Sequence, residues 1–285
     1  MKLSIIIVSY NVKEWLANCL HALGKACEKI NAEIFVVDNA STDGSKAYLE
    51  YQFPNVHFKW NKTNIGFAKA NNSVLNELSG EYILFLNPDT LIPEDALLKC
   101  LDFFNRHDDC GALGVYMQDG EGHFLKESKR GFPSPSTSFF KFMGLSKIFP
   151  RSKTFAKYYE GHLDPHKHHI VDVLSGAFMM VPKKVIQKTG GFDEDYFMYG
   201  EDIELSYQIN QWGYKNYYYP EVKIIHFKNK SASQDQLASK KYFFDAMSIF
   251  IRKRFDKEKI KKIFLLSGVH LIRFFTMVKI KLFNR

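Results

Sequence analysis

Residues 80–90 read GEYILFLNPDT, Gly80 to Thr90. Tyr82–Leu86 is a short, continuous apolar run, the pattern of a strand buried on both faces. It stops at Asn87-Pro88-Asp89, because proline has no N–H to give to a sheet ladder. Asp89 is therefore expected just beyond the carboxyl end of a central strand, where open α/β sheets bind ligands. Taken alone, these three residues also fit a plain Asp-containing turn, so the flanking chain has to decide.

Upstream, Leu3–Val8 reads as a first buried strand and Val12–Cys27 as a helix with Val12, Trp15, Leu16, Cys19, Leu20 and Leu23 on one face. Ala32–Val37 is a second apolar strand that runs into Asp38-Asn39-Ala40-Ser41-Thr42-Asp43-Gly44. Ser41 or Asp43 can cap the helix that follows through Tyr51. Val56–Trp60 is a weaker strand, and Gly66-Phe67-Ala68 opens a helix expected to reach Leu78. After the central strand, Pro93 starts a helix through Arg106. Strands alternating with helices over the first 110 residues indicate a parallel, doubly wound α/β sheet. Ser9–Asn11, Asp38–Gly44 and Asn87–Asp89 would then share one carboxyl edge, a nucleotide-type arrangement without a GxxxxGK or GxGxxG loop.

From Ala112 onward the pattern changes. Leu113–Met117 and Phe124–Lys126 flank a turn and suggest a hairpin, and Phe132–Tyr159 reads as a mobile, aromatic and basic loop with a short helix. Leu174–Val181 is apolar, Pro182–Thr189 a short helix, Gly190–Gly200 a loop rich in acids and aromatics, and Glu201–Trp212 a helix. Lys215–Tyr219 and Lys223–His226 read as two short strands, and Asp235–Phe255 and Lys257–Phe283 as basic, aromatic helices.

Composition bounds the class. Of 285 residues 46% are hydrophobic and 25% charged, an ordinary globular balance with ample core material. Cys19, Cys27, Cys100 and Cys110 form no CxxC pair, and are expected to be reduced, buried thiols of a cytosolic protein. Leu3–Val8 is too short for a signal-peptide core, and Ile263–Val278, interrupted by His270 and Arg273, is too short to span a bilayer. The net charge of +8 is unevenly spread, because residues 223–285 carry sixteen Lys/Arg against four Asp/Glu while the body is mildly acidic. No recognised nucleic-acid motif accompanies that charge, so no nucleic-acid partner is expected.

Three acidic clusters can carry chemistry. Asp38 can accept hydrogen bonds from a base edge or a ribose hydroxyl, or serve only a helix cap. Asp89 can bind a hard divalent cation, since Mg²⁺ and Mn²⁺ favour carboxylates together with phosphates. Phe192–Glu204 contains Glu201-Asp202, which could equally be first-turn acids offsetting a helix dipole. The histidines at 162, 166, 168 and 169 read as a solvated cluster, whereas His226 ends an apolar strand and fits a hydrogen-bonded core residue as well as a ligand.

With these stretches in view, the chain resembles the family 2 glycosyltransferases of the GT-A fold, and within them the rhamnosyltransferase-like enzymes of bacterial surface polysaccharide synthesis. The matching segments are SIIIVSYN (4–11), VVDNASTDGS (36–45), NIGFAKANN (64–72), LFLNPDT (84–90), LSGAFMMVPK (174–183), the stretch 190–214 and HFKNKS (226–231), in the family's order. The resemblance implies a GT-A domain over 1–232, a Rossmann-like, mixed and mostly parallel sheet flanked by helices, with a donor half at 1–110 and an acceptor half at 111–232, followed by a basic helical segment at 233–285. It implies that Ser9, Tyr10, Asn11 and Asp38 line the base and ribose pocket, and that Asn64, Gly66 and Asn71 border the diphosphate and donor sugar. Asn87-Pro88-Asp89 matches the metal-binding DxD position with its first carboxylate replaced, so Asp89 would hold Mg²⁺ or Mn²⁺ with help from His226. Asp202 matches the catalytic base, with Glu201 as the fallback.

The expected reaction is inverting transfer from a pyrimidine nucleotide sugar (dTDP-rhamnose or a UDP-sugar) to a hydroxyl of a glycan or lipid-linked acceptor. The runner-up readings are a sugar nucleotidyltransferase, which would need a Gly-rich basic loop after Ser9-Tyr10-Asn11, and a non-catalytic membrane-associated binding protein. A basic amphipathic tail reads as peripheral attachment to an anionic membrane, at the inner face of the cell membrane. Packing of its apolar faces on the domain or on a second copy, as a homodimer, is the alternative.

Overall fold

The computed structural model describes residues 2–134, 136–137, 140, 144–227 and 236–283. Residues 228–231 of the HFKNKS segment, the expected 232/233 boundary and part of the Phe132–Tyr159 loop lie outside the described residues.

The apolar runs pair as a mixed nine-stranded sheet. Strand β1 (Lys2–Ser9) pairs in parallel with β2 (Asn31–Asp38) on one side and with β4 (Tyr82–Leu86) on the other, and β3 (His57–Trp60) extends β2. Helices α1 (Lys13–Cys27), α2 (Ser45–Gln52) and α3 (Phe67–Asn72) make the crossovers. Helix α1 buries Leu16, Cys19, Leu20 and Leu23, the i, i+3, i+4, i+7 stripe of an amphipathic helix. Each such buried leucine contributes about 1.5–3 kcal/mol.

Beyond β4 come β5 (Thr90–Leu91), α4 (Ala96–Arg106), β6 (Cys110–Gln118), the single turn α5 (Leu145–Ile148), β7 (His169–Val171), β8 (Phe178–Pro182), α6 (Lys183–Thr189), α7 (Glu201–Gln211) and β9 (Lys215–His226). The parallel order breaks at β8, which inserts antiparallel between β4 and β6. The sheet continues with β9 parallel to β6, and β5 and β7 antiparallel to β9. Two cores cover its faces, one built on Leu16, Leu20, Leu97 and Phe103 and the other on Val74, Phe85, Phe192 and Leu205.

Several local expectations are corrected. Helix α3 ends at Asn72 rather than Leu78, because Asn71 Nδ2 donates back to Phe67 O, Ser73 Oγ donates to Ala70 O and Asn72 bonds out to Phe192. Such side chain to backbone bonds compete with helix propagation. Helix α4 starts at Ala96, after a turn in which Ala96 N donates to Pro93 O. The hairpin after β6 is reduced to one bridge between Gln118 and Phe124. The two strands read in residues 215–226 are one strand, with a register shift where Pro220 would have had to donate. His169 begins β7 instead of lying in a loop. The four thiols are unpaired, and three are buried.

Helices α8 (Gln236–Arg254) and α9 (Lys259–Phe283) pack on each other through Phe244, Ile251, Leu265, Val269 and Ile272. The opposite face of α9 exposes Ile260, Ile263, Phe264, Leu271, Phe274 and Phe275. No helix among the described residues is long and apolar enough to cross a membrane.

Candidate active site

Sheet topology gathers the sequence-nominated polar residues on one edge. Because β1, β2, β4 and β9 all run the same way, Ser9, Asp38, Asn87 and His226 emerge together at their carboxyl ends. Strand β8 runs the other way, so its leading residues Ser175–Ala177 join the same edge.

Ser9 and Asp38 are register partners, both buried. Asp38 accepts from Ser41 N at 2.7 Å and from Ser41 Oγ at 2.5 Å, so the carboxylate closes its own loop. Burial pushes the Asp38 carboxyl above its ordinary value, and the Ser41 hydrogen bonds oppose that rise. Asn11 adopts a left-handed conformation that lets its N–H reach Ser41 Oγ and its Oδ1 accept from Thr42 N, both at 2.7 Å. Asp43 accepts from Ser45 N and Lys13 N, tying the starts of α1 and α2 together. Tyr10 stays half-exposed at the mouth. The result is a hydrogen-bonded polar cluster around one buried carboxylate.

The second group centres on Asp89. Its carboxylate Oδ1 lies 3.2 Å from His226 Nε2, and Asn87 Nδ2 lies 3.3 Å from the same ring nitrogen. The β5–β9 ladder holds the pair: Thr90 faces His226, and Phe227 N donates to Asp89 O. Cys19 sits behind, its thiol pushed up by burial and then by the Asp89 charge. His226 Nδ1 is buried with no hydrogen-bond partner among the described residues. A carboxylate beside an imidazole suits a divalent ion whose other ligands are phosphate oxygens and water. Among the described residues, no group of three or more His, Cys, Asp or Glu side chains could hold a metal unaided.

The third group is Glu201-Asp202 in the first turn of α7. Asp202 Oδ2 accepts from Arg130 Nη2 at 2.5 Å and from Gly176 N at 3.3 Å. One residue on, Ala177 O accepts from Asn87 N, so the Asp202 and Asp89 groups are joined by one short stretch of backbone. Glu201 points into the protein, and its Oε2 has no hydrogen-bond partner among the described residues. Burial, then the neighbouring Asp202 charge, raises the Glu201 carboxyl. Asp202 is thus bonded to the backbone that leads into β8 at the sheet edge, whereas Glu201 is buried.

Not every nominated residue lines the edge. Asn71 is buried and spent on Phe67 O, and Asn64 Oδ1 accepts from Gly66 N at 3.0 Å. Gly66, at φ +86°, lies so close to Phe197 that a Cβ would sit 2.6 Å from its carbonyl oxygen. Phe67 N also donates to Phe197 O, so this segment fastens the loop before α3 to the 190–200 loop. Arg130 was not singled out by the sequence. It lies in a basic stretch, 72 residues from Asp202, and bridges to Val173 just after β7. No local spacing announces that pairing.

The family model described as Glycosyl transferase family 2 matches residues 4–190. The chain belongs to that family. This family 2 chain is 29% identical over 244 residues to the N-acetylglucosaminyl-diphospho-decaprenol L-rhamnosyltransferase of Mycobacterium tuberculosis, covering 82% of this chain and 78% of the relative. It is 28% identical over 231 residues to the rhamnosyltransferase WbbL of Escherichia coli K12, covering 78% and 82%. Among solved structures it is similar to the mannosyltransferase PcManGT of Pyrobaculum calidifontis, in complex with GDP-Man and Mn²⁺. That match has a TM-score of 0.57 at 16% identity, over 96% of this chain and 71% of the other. The family 2 chain therefore carries the GT-A fold and ends in two helices, α8 and α9.

Proposed function

We propose that the chain is an inverting glycosyltransferase that moves a sugar from a pyrimidine nucleotide sugar, dTDP-rhamnose or a UDP-sugar, to a hydroxyl of a glycan or lipid-linked acceptor in surface polysaccharide synthesis. The observation that carries this reading is the junction at Asn87–Ala177, Gly176–Asp202, which sets the Asp89–His226 pair and the Arg130-held Asp202 on one sheet edge. The names of the rhamnosyltransferase relatives support the donor class.

In this mechanism the cluster of Ser9, Asn11 and Asp38 receives the base and ribose, where Asp38 offers a buried acceptor to a ribose hydroxyl or base edge. Asp89 and His226 would hold Mg²⁺ or Mn²⁺ at the donor diphosphate. When bound, the ion supplies charge neutralisation for the departing nucleoside diphosphate. Asp202 accepts the proton of the acceptor hydroxyl as that oxygen attacks the anomeric carbon from the face opposite the leaving group. The C–O bond to the acceptor forms as the bond to the phosphate breaks, and the configuration inverts. Arg130 holds Asp202 so that its remaining lone pairs face the acceptor.

The domain division at 232/233 and the peripheral location at the inner face of the cell membrane belong to the same proposal. The exposed apolar face of α9, flanked by Lys259 and Lys261, has the character of a membrane-surface helix. Near an anionic leaflet each Lys or Arg contributes about 1 kcal/mol. Co-sedimentation with anionic liposomes, lost when Phe264 and Phe274 are changed to Ser, tests it. A concentration-dependent dimer that ignores liposomes would favour self-association through the same face.

The decisive experiment for the activity is release of nucleoside diphosphate from a panel of dTDP-, UDP- and GDP-sugars with Mn²⁺ or Mg²⁺. Release from a dTDP- or UDP-sugar is expected. Turnover of GDP-sugars alone, or of none, would overturn the donor assignment.

A further inference from the structure

Helix α8 presents one face to the segment that carries Asp202. Ser239 Oγ lies 2.8 Å from Tyr199 Oη, Tyr242 stacks on Phe197 at 4.5 Å, and a Cβ on Gly200 would sit 3.5 Å from that of Ala246. At its last turn Lys253 pairs with Asp193 and, at 2.7 Å, with Asp195. Arg254 Nη2 donates to Glu204 Oε2 at 2.6 Å, while its guanidinium carbon lies 3.4 Å from the centre of the Tyr207 ring. The spacing of 239, 242, 246 and 253 is that of a single helical face.

The gripped segment needs holding. Tyr199 and Gly200 are consecutive left-handed residues at φ +68° and +88°, a strained turn for tyrosine. Glu204 is buried one turn into α7, and without Arg254 it would be an uncompensated charge beside Glu201, which burial already resists ionising. At its other end the segment is fastened independently of Arg254, because Phe67 N donates to Phe197 O and Gly66 packs against Phe197.

We infer that α8 is a strut of the active site, and that Arg254 is a positioning residue for Asp202 that acts through Glu204 and the first turn of α7. This inference rests on the proposed transfer reaction, in which Asp202 is the base. The C-terminal pair is then part of the working enzyme, and a partner that seats α9 would act on the same strut.

The test uses the full chain and compares Arg254→Gln, Arg254→Lys and Arg273→Gln. Arg273 Nη1 donates to Asp245 Oδ1 at 2.6 Å and ties α9 to α8 away from the loop. A base displaced by about 1 Å loses about 100-fold in rate, so R254Q should lower kcat by 10- to 100-fold with donor KM unchanged. R254K keeps the charge but loses the fork and the stack on Tyr207, and should fall between R254Q and wild type. R273Q should keep wild-type kcat. Amide hydrogen exchange over residues 196–204 should accelerate in R254Q and R254K but not in R273Q, a readout that needs no turnover. Wild-type kcat and exchange in both Arg254 variants would overturn the inference, as would equal losses in R273Q. If R254Q does not fold, R254K against R273Q decides. A wild-type enzyme that turns over no nucleotide sugar would defeat the transfer reading, while the exchange comparison still decides the strut.

Discussion

Replacing Arg130 by Gln removes the counter-charge of the proposed base, and the structure sets the size of the effect. The two side chains are 11% and 14% exposed, and Arg130 Nη2 also donates to Leu174 O at 2.9 Å. Breaking a buried ion pair from one side costs about 3–5 kcal/mol, and the residual exposure places this one near the lower figure. For a chain of this size each kcal/mol is worth about 2 °C in melting temperature, so R130Q should melt about 6 °C lower at neutral pH. Activity should fall further than stability suggests, because Asp202 would keep only the Gly176 N–H and its own helix turn to orient it. A kcat loss of about 100-fold is expected. The double variant R130Q/D202N should recover much of the melting temperature, since replacing both partners leaves no buried charge unpaired. Thermal melts and initial rates of nucleoside diphosphate release provide the assay. R130Q with wild-type melting and wild-type kcat would refute the assignment of Arg130 as the holder of Asp202.

Three further outcomes are expected. Glu201 has a raised carboxyl, so its contribution to stability is complete below its ordinary value of 4.5 and is lost as pH rises toward about 8. Glu201→Gln should therefore gain melting temperature over wild type progressively from acid to neutral pH, and a difference that shrinks would contradict the burial argument. Gly66→Ala places a Cβ 2.6 Å from Phe197 O at a φ that favours glycine, and should cost about 2–4 kcal/mol by denaturant unfolding. Calorimetric Mn²⁺ binding should be weak in the free protein and tighten with UDP, and His226→Ala should weaken the UDP-assisted binding by at least about tenfold. Tight binding by the free protein would contradict a two-residue site.

The parts of this account visible in the sequence are those that local pattern can encode. Leu3–Val8, Ala32–Val37 and Tyr82–Leu86 are continuous apolar runs because both sheet faces are covered, and each is followed by the polar residues that form the edge. Ser9, Asp38, Asn87 and Asp89 were legible for that reason. The antiparallel insertion of β8 was not, since an apolar strand looks the same in either direction. Arg130 and Arg254 were hidden because their partners lie 72 and 50 residues away, and nothing in a basic loop or helix marks the one arginine that finds a carboxylate. Asn71, nominated beside the donor, also donates its amide to Phe67 O within its own helix, a bond that no local pattern announced.

In the proposed mechanism Asp202 removes the acceptor proton while Asp38 and Asp89 serve the donor. Asp202→Asn keeps the shape of the side chain and removes its basicity, so a single measurement separates the roles: transfer rate and donor affinity of the same purified D202N protein. The account predicts wild-type donor binding with transfer reduced by about 10²–10⁴-fold. Full transfer by D202N, or loss of donor binding in step with transfer, would contradict it.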